Sequence, residues 1–139
     1  MFSAVATVDT GAVRGRADAG LAAFGNETYL FLGLRVADGR AREVFVERVA
    51  PSKRSYPGQP PPPPLPVQIV ASKPLPDGTS QVELRVRGDG RWYAFDYRTD
   101  AASDWTAVAD NVDASHLSIH EAGGFVGTTL GMFARSMGD

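Results

Sequence analysis

The sequence predicts an all-β domain in which two antiparallel sheets pack face to face, a sandwich of the jelly-roll type. Three observations favour this fold class. Short segments alternate apolar and polar side chains, which is the period of a strand. Fifteen glycines and ten prolines punctuate these segments and supply turns. No window of a dozen residues keeps a helical period. About eight or nine short strands therefore fill a single domain over residues 1–139.

The first third of the chain contains four predicted strands. Phe2–Val8 alternates cleanly. Gly20–Phe24 and Thr28–Leu34 flank a short polar stretch and predict a hairpin. Asp38–Gly39 is the next turn signal, and Glu43–Val49 is expected to pair back on the preceding strand. Large apolar side chains occur on both faces of Thr28–Leu34, so both of its faces should be covered.

A proline-rich stretch interrupts this pattern. Ser52–Pro66 contains the run Pro60–Pro64, and proline lacks the backbone donor that a central strand needs. Residues 57–66 are therefore predicted to be a stiff exposed loop that joins two strands. The alternative interpretation is a ligand for a proline-binding module.

The remainder of the chain returns to strands. Val67–Ala71 is short, whereas Val82–Arg87 and Trp92–Arg98 form the clearest hairpin in the sequence. Trp105–Val108 predicts a further strand. Asp110–Glu121 has no regular spacing of apolar residues and is interpreted as a loop.

The segment Ala122–Ala134 is predicted to be a central, tightly packed strand with Phe125 at its entry. Its more apolar face includes Leu130 and Met132, and this face is expected to be buried. The opposite face carries glycines, where another backbone or side chain can approach closely. On the residues alone, a core position is the ordinary interpretation of Phe125.

Composition excludes several classes of function. A net charge of -2 and a pI near 5.6 give no basis for nucleic-acid binding, because the positive residues are scattered among acids. The absence of cysteine excludes disulfides and thiolate metal sites. The opening MFSAVATVD is neither a signal peptide nor a membrane span, so a soluble, cytoplasmic protein is expected. No cofactor is predicted.

Motifs for catalysis or metal binding are weak. There is no GxSxG motif, and His116 and His120 lack the glutamate of HExxH and do not lie on a predicted helix. Four aspartates, Asp100, Asp104, Asp110 and Asp113, could offer oxygens to calcium, but their spacing fits no EF-hand loop. We therefore predict no catalytic residue and no metal site.

Aromatic residues offer one candidate binding surface. Trp92, Tyr93 and Tyr97 could stack on sugar rings. Strand alternation places the two tyrosines on one face and Trp92 on the other, so at most one set can form a platform. Core packing is the competing interpretation.

Four segments in order resemble the C-terminal domain of glycoside hydrolase family 43 β-xylosidases. They are Ala19–Leu34 (AGLAAFGNETYLFLGL), Val82–Asp100 (VELRVRGDGRWYAFDYRTD), Asp104–Val108 (DWTAV) and His116–Ala134 (HLSIHEAGGFVGTTLGMFA). The resemblance spans nearly the whole chain and implies a concanavalin A-like β-sandwich, in agreement with the strand pattern.

The resemblance also implies a role. Family members carry their three catalytic carboxylates on a separate five-bladed β-propeller, against which the sandwich packs. An aromatic residue of the sandwich, matching Phe125, reaches the rim of the propeller's pocket, and Gly124 before it allows the backbone to turn. Such a ring would help to enclose a terminal sugar of a xylo-oligosaccharide. The chain alone is then expected to have no hydrolase activity. A stand-alone carbohydrate-binding module of the same fold is the alternative.

The sequence departs from the family pattern at both ends. It begins at what resembles an internal strand of the family domain, so the sandwich is expected to be truncated at its N-terminal edge. It ends at ARSMGD, where relatives continue into another strand. Unpaired sheet edges could then drive self-association.

Overall fold

The computed structural model describes residues 2–25, 28–49, 58, 68–89, 92–100, 103–113 and 129–138. Regular structure in these residues consists of strands. They are β1 (Phe2–Asp9), β2 (Arg16–Gly25), β3 (Thr28–Ala37), β4 (Arg40–Val49), β5 (Gln68–Pro74), β6 (Gln81–Asp89), β7 (Trp92–Arg98), β8 (Thr106–Asp113) and β9 (Thr129–Gly138).

The strands form two antiparallel sheets. One sheet has the order β1-β6-β7-β8 and the other has the order β5-β4-β3-β2-β9. The sheets pack face to face, with β1 against β2 and β8 against β4 and β5. The predicted all-β sandwich is therefore confirmed, as are the two predicted hairpins, which become β2–β3 and β6–β7.

The main core fills the space between the sheets. Alternate side chains of each strand point inward, as the strand period requires. On β3 the inward residues are Leu30, Leu32 and Leu34, and none of them is exposed to solvent. They meet Val82, Leu84, Val86 and Phe95 of the opposite sheet. Burying a side chain of this size stabilises the fold by about 1.5–3 kcal/mol.

A second apolar cluster lies on the outer face of the five-stranded sheet. Phe31 and Phe45 are 0% exposed although they point away from the sandwich interior. The ring of Phe31 meets those of Phe45 and Phe133 edge to face, at centroid distances of 5.5 and 5.1 Å. Both faces of β3 are thus covered, as its sequence predicts.

Several strand boundaries differ from the prediction, and those of β2 and β8 are examples. β2 begins at Arg16 rather than Gly20, because its pairing with β3 continues to the Arg16–Ala37 pair. β8 continues to Asp113, so the predicted loop from Asp110 begins as a strand. Asn111 there has a φ of 52° and the register with β7 shifts nearby, which explains why alternation fails in this part of the sequence.

The position predicted for the last strand is wrong. Among the described strands β9 lies at the end of its sheet, where it pairs with β2 alone, and is therefore not central. Its expected buried face is also wrong, because Met132 is 69% exposed. The covered face is instead that of Phe133, which packs on the outer aromatic cluster. The local pattern of hydrophobicity predicted burial of the Met132 face. That pattern carries no information about what lies opposite each face in the folded domain.

One end of the sandwich is closed by tight turns. Asp38 and Gly39 both have positive φ, of 49° and 83°, and form a two-residue connection between β3 and β4. The Thr10 N–H donates to the carbonyl of Ser80 at 2.8 Å. The Thr10 hydroxyl lies 2.9 Å from the Gly39 carbonyl and 3.1 Å from that of Ser80. Thr10 therefore joins the two sheets at this end.

Candidate functional site

The two residues that the family resemblance assigns to a sugar pocket, Gly124 and Phe125, lie outside the described residues. The strand that follows them is described. β9 begins at Thr129, which pairs with Phe24 at the end of β2. This is the end of the sandwich opposite to Thr10.

The aromatic residues considered for sugar stacking are separated by the fold. Tyr93 is 5% exposed and belongs to the core between the sheets, where its ring lies 6.4 Å from that of Phe95. Tyr97 also packs against this core. Trp92 lies on the outer face of the four-stranded sheet and is 45% exposed. The structure brings no two of these rings together as an open platform.

A cluster of polar side chains covers the aromatic residues of the five-stranded sheet. We call Asp18, Tyr29, Glu47 and Arg135 the outer ionic layer. Its members come from β2, β3, β4 and β9, and strand pairing places them on the same face. Asp18 and Glu47 are 2% and 3% exposed, so both carboxylates need partners at hydrogen-bonding distance.

Arg135 supplies those partners. Its Nη1 and Nη2 donate to the two oxygens of Glu47 at 3.1 and 2.9 Å. Its Nε donates to Oδ2 of Asp18 at 3.0 Å. The Tyr29 hydroxyl donates to Oε2 of Glu47 at 2.7 Å. One guanidinium therefore joins the end strand β9 to both β2 and β4 by charge-assisted hydrogen bonds.

This geometry shifts three pKa values. Burial acts to raise the pKa of Glu47, but the hydrogen bonds from Arg135 and Tyr29, with the positive charges nearby, outweigh it and hold that pKa below its ordinary value. Burial and the hydrogen bond to Glu47 raise the pKa of Tyr29. The hydrogen bond to Glu47 raises the pKa of Arg135 further above its ordinary range. Glu47 and Arg135 therefore remain charged at neutral pH.

Gly33 makes room for the aromatic rings under this layer. A Cβ placed on Gly33 would lie 2.7 Å from the ring of Phe31 and 2.8 Å from that of Phe45. The guanidinium carbon of Arg135 lies 5.5 Å from the centre of the Phe31 ring, and that of Arg35 lies 4.4 Å from the centre of the Phe45 ring. The arginines thus cover rings that would otherwise face water.

The outer ionic layer is built to hold strands together and not to perform chemistry. Both of its carboxylates are engaged by a guanidinium, so neither is placed as a general acid or base. The described residues contain no group of three or more histidine, aspartate or glutamate side chains that could hold a metal ion.

Sequence reasoning missed this layer. Asp18 and Arg135 are 117 residues apart, and no motif joins them. A usable signal did exist: charged residues lie within strands that also carry apolar side chains on both faces. Such a charge requires a partner on a neighbouring strand.

The outer face of the four-stranded sheet carries a second ionic cluster. Asp96, with a side chain 4% exposed, accepts hydrogen bonds from Nε of Arg85 at 3.0 Å and from Nε of Arg87 at 2.8 Å. The hydrogen bond to Asp96 raises the pKa of Arg87. Arg98 pairs with Glu83 beside it.

On this second face the ring system of Trp105 packs against two arginines. The guanidinium carbons of Arg85 and Arg98 lie 4.3 and 4.2 Å from the centre of the Trp105 ring system. Two cations thus stack on Trp105, and contacts of this kind contribute about 0.5–1 kcal/mol each at exposed sites. Trp105 is therefore not placed as an open surface for a sugar ring.

Comparison with protein-family models identifies the family of this chain. The model of the β-xylosidase C-terminal concanavalin A-like domain matches residues 1–139. The chain belongs to this family. Recognition of the family from the four sequence segments is therefore confirmed. Among curated proteins, none matches the sequence.

Solved structures with the same fold come from glycoside hydrolase family 43. A GH43_12 protein retrieved from a capybara gut metagenome is 25% identical with a TM-score of 0.68, over 85% of this chain and 20% of that one. The GH43 BlXynB protein of Bacillus licheniformis is 20% identical with a TM-score of 0.70, over 99% of this chain and 24% of that one. The Bacteroides ovatus xyloglucan PUL GH43B is 19% identical with a TM-score of 0.67, over 99% and 24%. The domain thus spans about a fifth to a quarter of these chains.

No helix of the described part of the chain is long and apolar enough to cross a membrane.

Proposed function

We propose that this domain packs against the catalytic β-propeller of a family 43 glycoside hydrolase and contributes Phe125 to the rim of its sugar pocket. The parent enzyme would hydrolyse the glycosidic bonds of xylose or arabinose in xylan-derived oligosaccharides. The catalytic carboxylates would belong to the propeller, and the sandwich alone would be inactive.

The observation that carries the proposal is the family match over residues 1–139, which includes the GGFVGT segment. The fold supports it through β9. Thr129, four residues after Phe125, is the first described residue of this strand, and Arg135 anchors the same strand to β2 and β4. A strand anchored in this way fixes the position at which the preceding segment joins the sheet. Positioning a ring at a pocket requires such a scaffold, because a small misplacement can reduce turnover strongly.

The test uses Phe125→Ala in the domain joined to its catalytic propeller. We expect kcat/KM on xylobiose to fall by roughly tenfold or more, because the pocket would lose the ring that helps to exclude water. Phe125→Tyr keeps a ring of the same shape and should retain most of the activity. The free energy of unfolding of the 139-residue chain should be unchanged by either substitution.

Two outcomes would overturn the pocket role. Wild-type kinetics in the Phe125→Ala enzyme would show that the ring does not contribute to the pocket. A loss of several kcal/mol in the stability of the chain, by contrast, would place Phe125 in a core.

A stand-alone carbohydrate-binding module is a second candidate, and the exposed indole of Trp92 is the observation that favours it. The burial of Tyr93 weighs against a larger platform. Titration of xylo-oligosaccharides against the chain separates the two functions. Binding that Trp92→Ala abolishes would support the module, and absence of binding at millimolar sugar would remove it.

A further inference from the structure

A groove lies between the two sheets on one side of the sandwich. Its walls are β5 and β8, the last described strands of the five-stranded and four-stranded sheets on that side, which lie against each other. Residues 68–71 of β5 and 109–112 of β8 line it, together with Arg48 of β4. Its volume is about 530 Å³, within the range of about 300–1,000 Å³ that is usual for small-molecule sites.

Irregularities in both walls shape this groove. A regular strand turns alternate side chains to opposite faces, yet four consecutive residues of each wall strand line the groove. The pairing of β4 with β5 shifts register between Val46 and Glu47, and that of β7 with β8 shifts between Tyr93 and Asp96. Asn111 also has a φ of 52°. Such bulges bend a strand and redirect its side chains, and they are frequent beside active sites.

Arg48 and Gln68 form one polar side of the groove. Nε and Nη2 of Arg48 donate to Oε1 of Gln68 at 3.2 and 2.6 Å, so the guanidinium and the amide hold each other in place. Hydrogen bonds within the described part of the chain do not engage Nη1 of Arg48 or the amide nitrogen of Gln68. Both groups are therefore pre-oriented to donate to a ligand.

Asp110 and Asn111 supply complementary acceptors. Oδ1 of Asp110 accepts a hydrogen bond from the backbone N–H of Asn111 at 2.9 Å, and among the described residues Oδ2 has no donor, so it can accept from a ligand. The side-chain amide of Asn111 offers both a carbonyl acceptor and an NH₂ donor. The groove thus combines one positive and one negative charge with neutral amides, and its donors are matched by acceptors.

Apolar side chains lie beside these polar groups. Ile69 and Val70 are 45% and 38% exposed although both are large and apolar, and Val112 reaches the groove from the opposite wall. An apolar lining with a few fixed polar groups is the usual composition of a small-molecule site. A ligand that matches this groove has apolar C–H surface together with hydroxyl groups, which both donate and accept hydrogen bonds.

We propose that this groove is a binding site for a neutral sugar, such as a xylose unit of an oligosaccharide. An anionic ligand would meet the carboxylate of Asp110, and a cationic one would meet the guanidinium of Arg48. A sugar hydroxyl, in contrast, can donate to the first and accept from the second. The C–H face of the ring would lie against Ile69 and Val70. The match to the β-xylosidase C-terminal domain family makes xylose-based sugars the first class to test.

The site is separate from the segment that contains Phe125. β5 and β9 are the first and last described strands of the five-stranded sheet, four strand spacings apart, which corresponds to about 19 Å. In a parent glycoside hydrolase such a site would hold an oligosaccharide on the enzyme and raise its local concentration at the catalytic pocket. That consequence rests on the proposed function, whereas binding in the groove does not.

Titration of xylotriose into the 139-residue chain tests the site. Backbone amide signals of residues 68–71 and 109–112 should shift together in NMR spectra and saturate at millimolar sugar, because both walls would contact the ligand. Glycerol at the same concentration has hydroxyl groups but no ring, and it should produce no saturable shift.

Asn111→Gly is the most direct variant. Glycine adopts a positive φ readily, so the backbone of β8 should be retained while the amide is lost. The affinity for xylotriose should fall by about fivefold or more, since a sugar hydroxyl would lose its partner. Gln68→Ala should weaken binding in the same direction, because it removes one donor and releases the guanidinium of Arg48.

The matched control is Asp38→Gly. Asp38 is the other non-glycine residue with a positive φ in the described part of the chain, and it lies in the β3–β4 connection at the end of the sandwich closed by Thr10. This variant also loses a polar side chain from a left-handed position, yet it should bind xylotriose like the wild-type chain. Trp92→Ala should do the same, because Trp92 does not line the groove.

Several results would overturn the proposal. Absence of saturable shifts in residues 68–71 and 109–112 at millimolar xylotriose is one, and equal shifts with glycerol are another. Wild-type affinity in both Asn111→Gly and Gln68→Ala would show that the groove is not the site. Binding that Trp92→Ala abolishes and Asn111→Gly leaves intact would assign the sugar to the outer face of the four-stranded sheet. The titration does not involve turnover, so its failure would leave the proposed role of Phe125 untouched.

Discussion

The outer faces of the two sheets neutralise nearly buried carboxylates in different ways. Each face holds nearly buried carboxylates with arginine, through Arg135 on the five-stranded sheet and through Arg85 and Arg87 on the four-stranded sheet. On the five-stranded sheet a single guanidinium serves two carboxylates from other strands, above a layer of phenylalanine rings. On the four-stranded sheet two guanidiniums share the single carboxylate of Asp96. In the first arrangement Arg135 makes the short arginine contacts and Arg35 lies 4.0 Å from Asp18, whereas in the second two arginines both contact the carboxylate closely.

This difference indicates what each face does for the fold. The outer face of the five-stranded sheet is a second core that fixes the end strand β9 in place. The outer face of the four-stranded sheet is a partly solvated surface stiffened by pairs of neighbouring charges. Exposed ion pairs contribute little, typically below about 1 kcal/mol, whereas the loss of one partner from a buried pair costs several.

The largest predicted effect comes from Arg135→Met. Removing this guanidinium leaves Asp18 and Glu47 nearly buried and without their main cation, which should lower the free energy of unfolding by about 3 kcal/mol. Urea denaturation of the chain measures this change.

The matched control is Arg87→Met on the other face. Arg87 is half-exposed and Arg85 remains beside Asp96, so we expect a loss of about 1 kcal/mol or less. Adding Asp18→Asn and Glu47→Gln to Arg135→Met should restore part of the lost stability, because the unpaired charges disappear. Equal losses in the two single variants would contradict the comparison.

An intermediate effect is expected from Gly33→Ala. The added Cβ would lie within 2.8 Å of both the Phe31 and Phe45 rings, and overpacking of this kind costs about 1–3 kcal/mol. Gly131, on the same outer face of β9, has nothing within 4 Å of the corresponding position. Gly131→Ala should therefore change the midpoint of thermal unfolding little, and a similar drop in both variants would argue against a packed outer core.

The smallest effect concerns pH. The pKa of Glu47 is lower in the folded chain than its ordinary value of 4.5, so its ionisation contributes stability above that pH. This contribution is lost as pH falls through the folded pKa. Glu47→Gln should accordingly flatten the acid limb of a plot of stability against pH.

The stability contribution of Tyr29 changes with pH in the opposite direction, at alkaline pH. Its pKa is raised from 10.0, so its contribution is complete below pH 10 and is lost as pH rises through the folded value. Tyr29→Phe should remove that part of the alkaline limb. If neither variant changes the dependence of stability on pH, the hydrogen bonds of the outer ionic layer do not shift the pKa values of Glu47 and Tyr29 as described.

The parts of the fold that follow from local periodicity could be predicted from the sequence. The hairpin of Val82–Arg87 and Trp92–Arg98 is an example, since alternation and the intervening glycines specify both its strands and their inward faces. The covered outer face of Thr28–Leu34 is another, because no other arrangement buries apolar side chains on both sides.

Features that depend on the opposite sheet could not be predicted in this way. Met132 and Phe133 are neighbours, and only the relative width of the two sheets decides which of them is covered. The outer ionic layer is equally non-local, because Asp18, Glu47 and Arg135 meet only after four strands have paired. Sequence can indicate that such charges need partners, but it does not say which ones.

The two cores on either side of the five-stranded sheet have a practical consequence for spectroscopic work on this domain. Every residue from Leu30 to Leu34 is buried, so β3 offers no place in that stretch for a fluorophore or a spin label. Because the chain has no cysteine, a single introduced thiol would direct a dye to one chosen atom. Ser103, which is exposed and belongs to neither core cluster, is a suitable attachment point outside the five-stranded sheet.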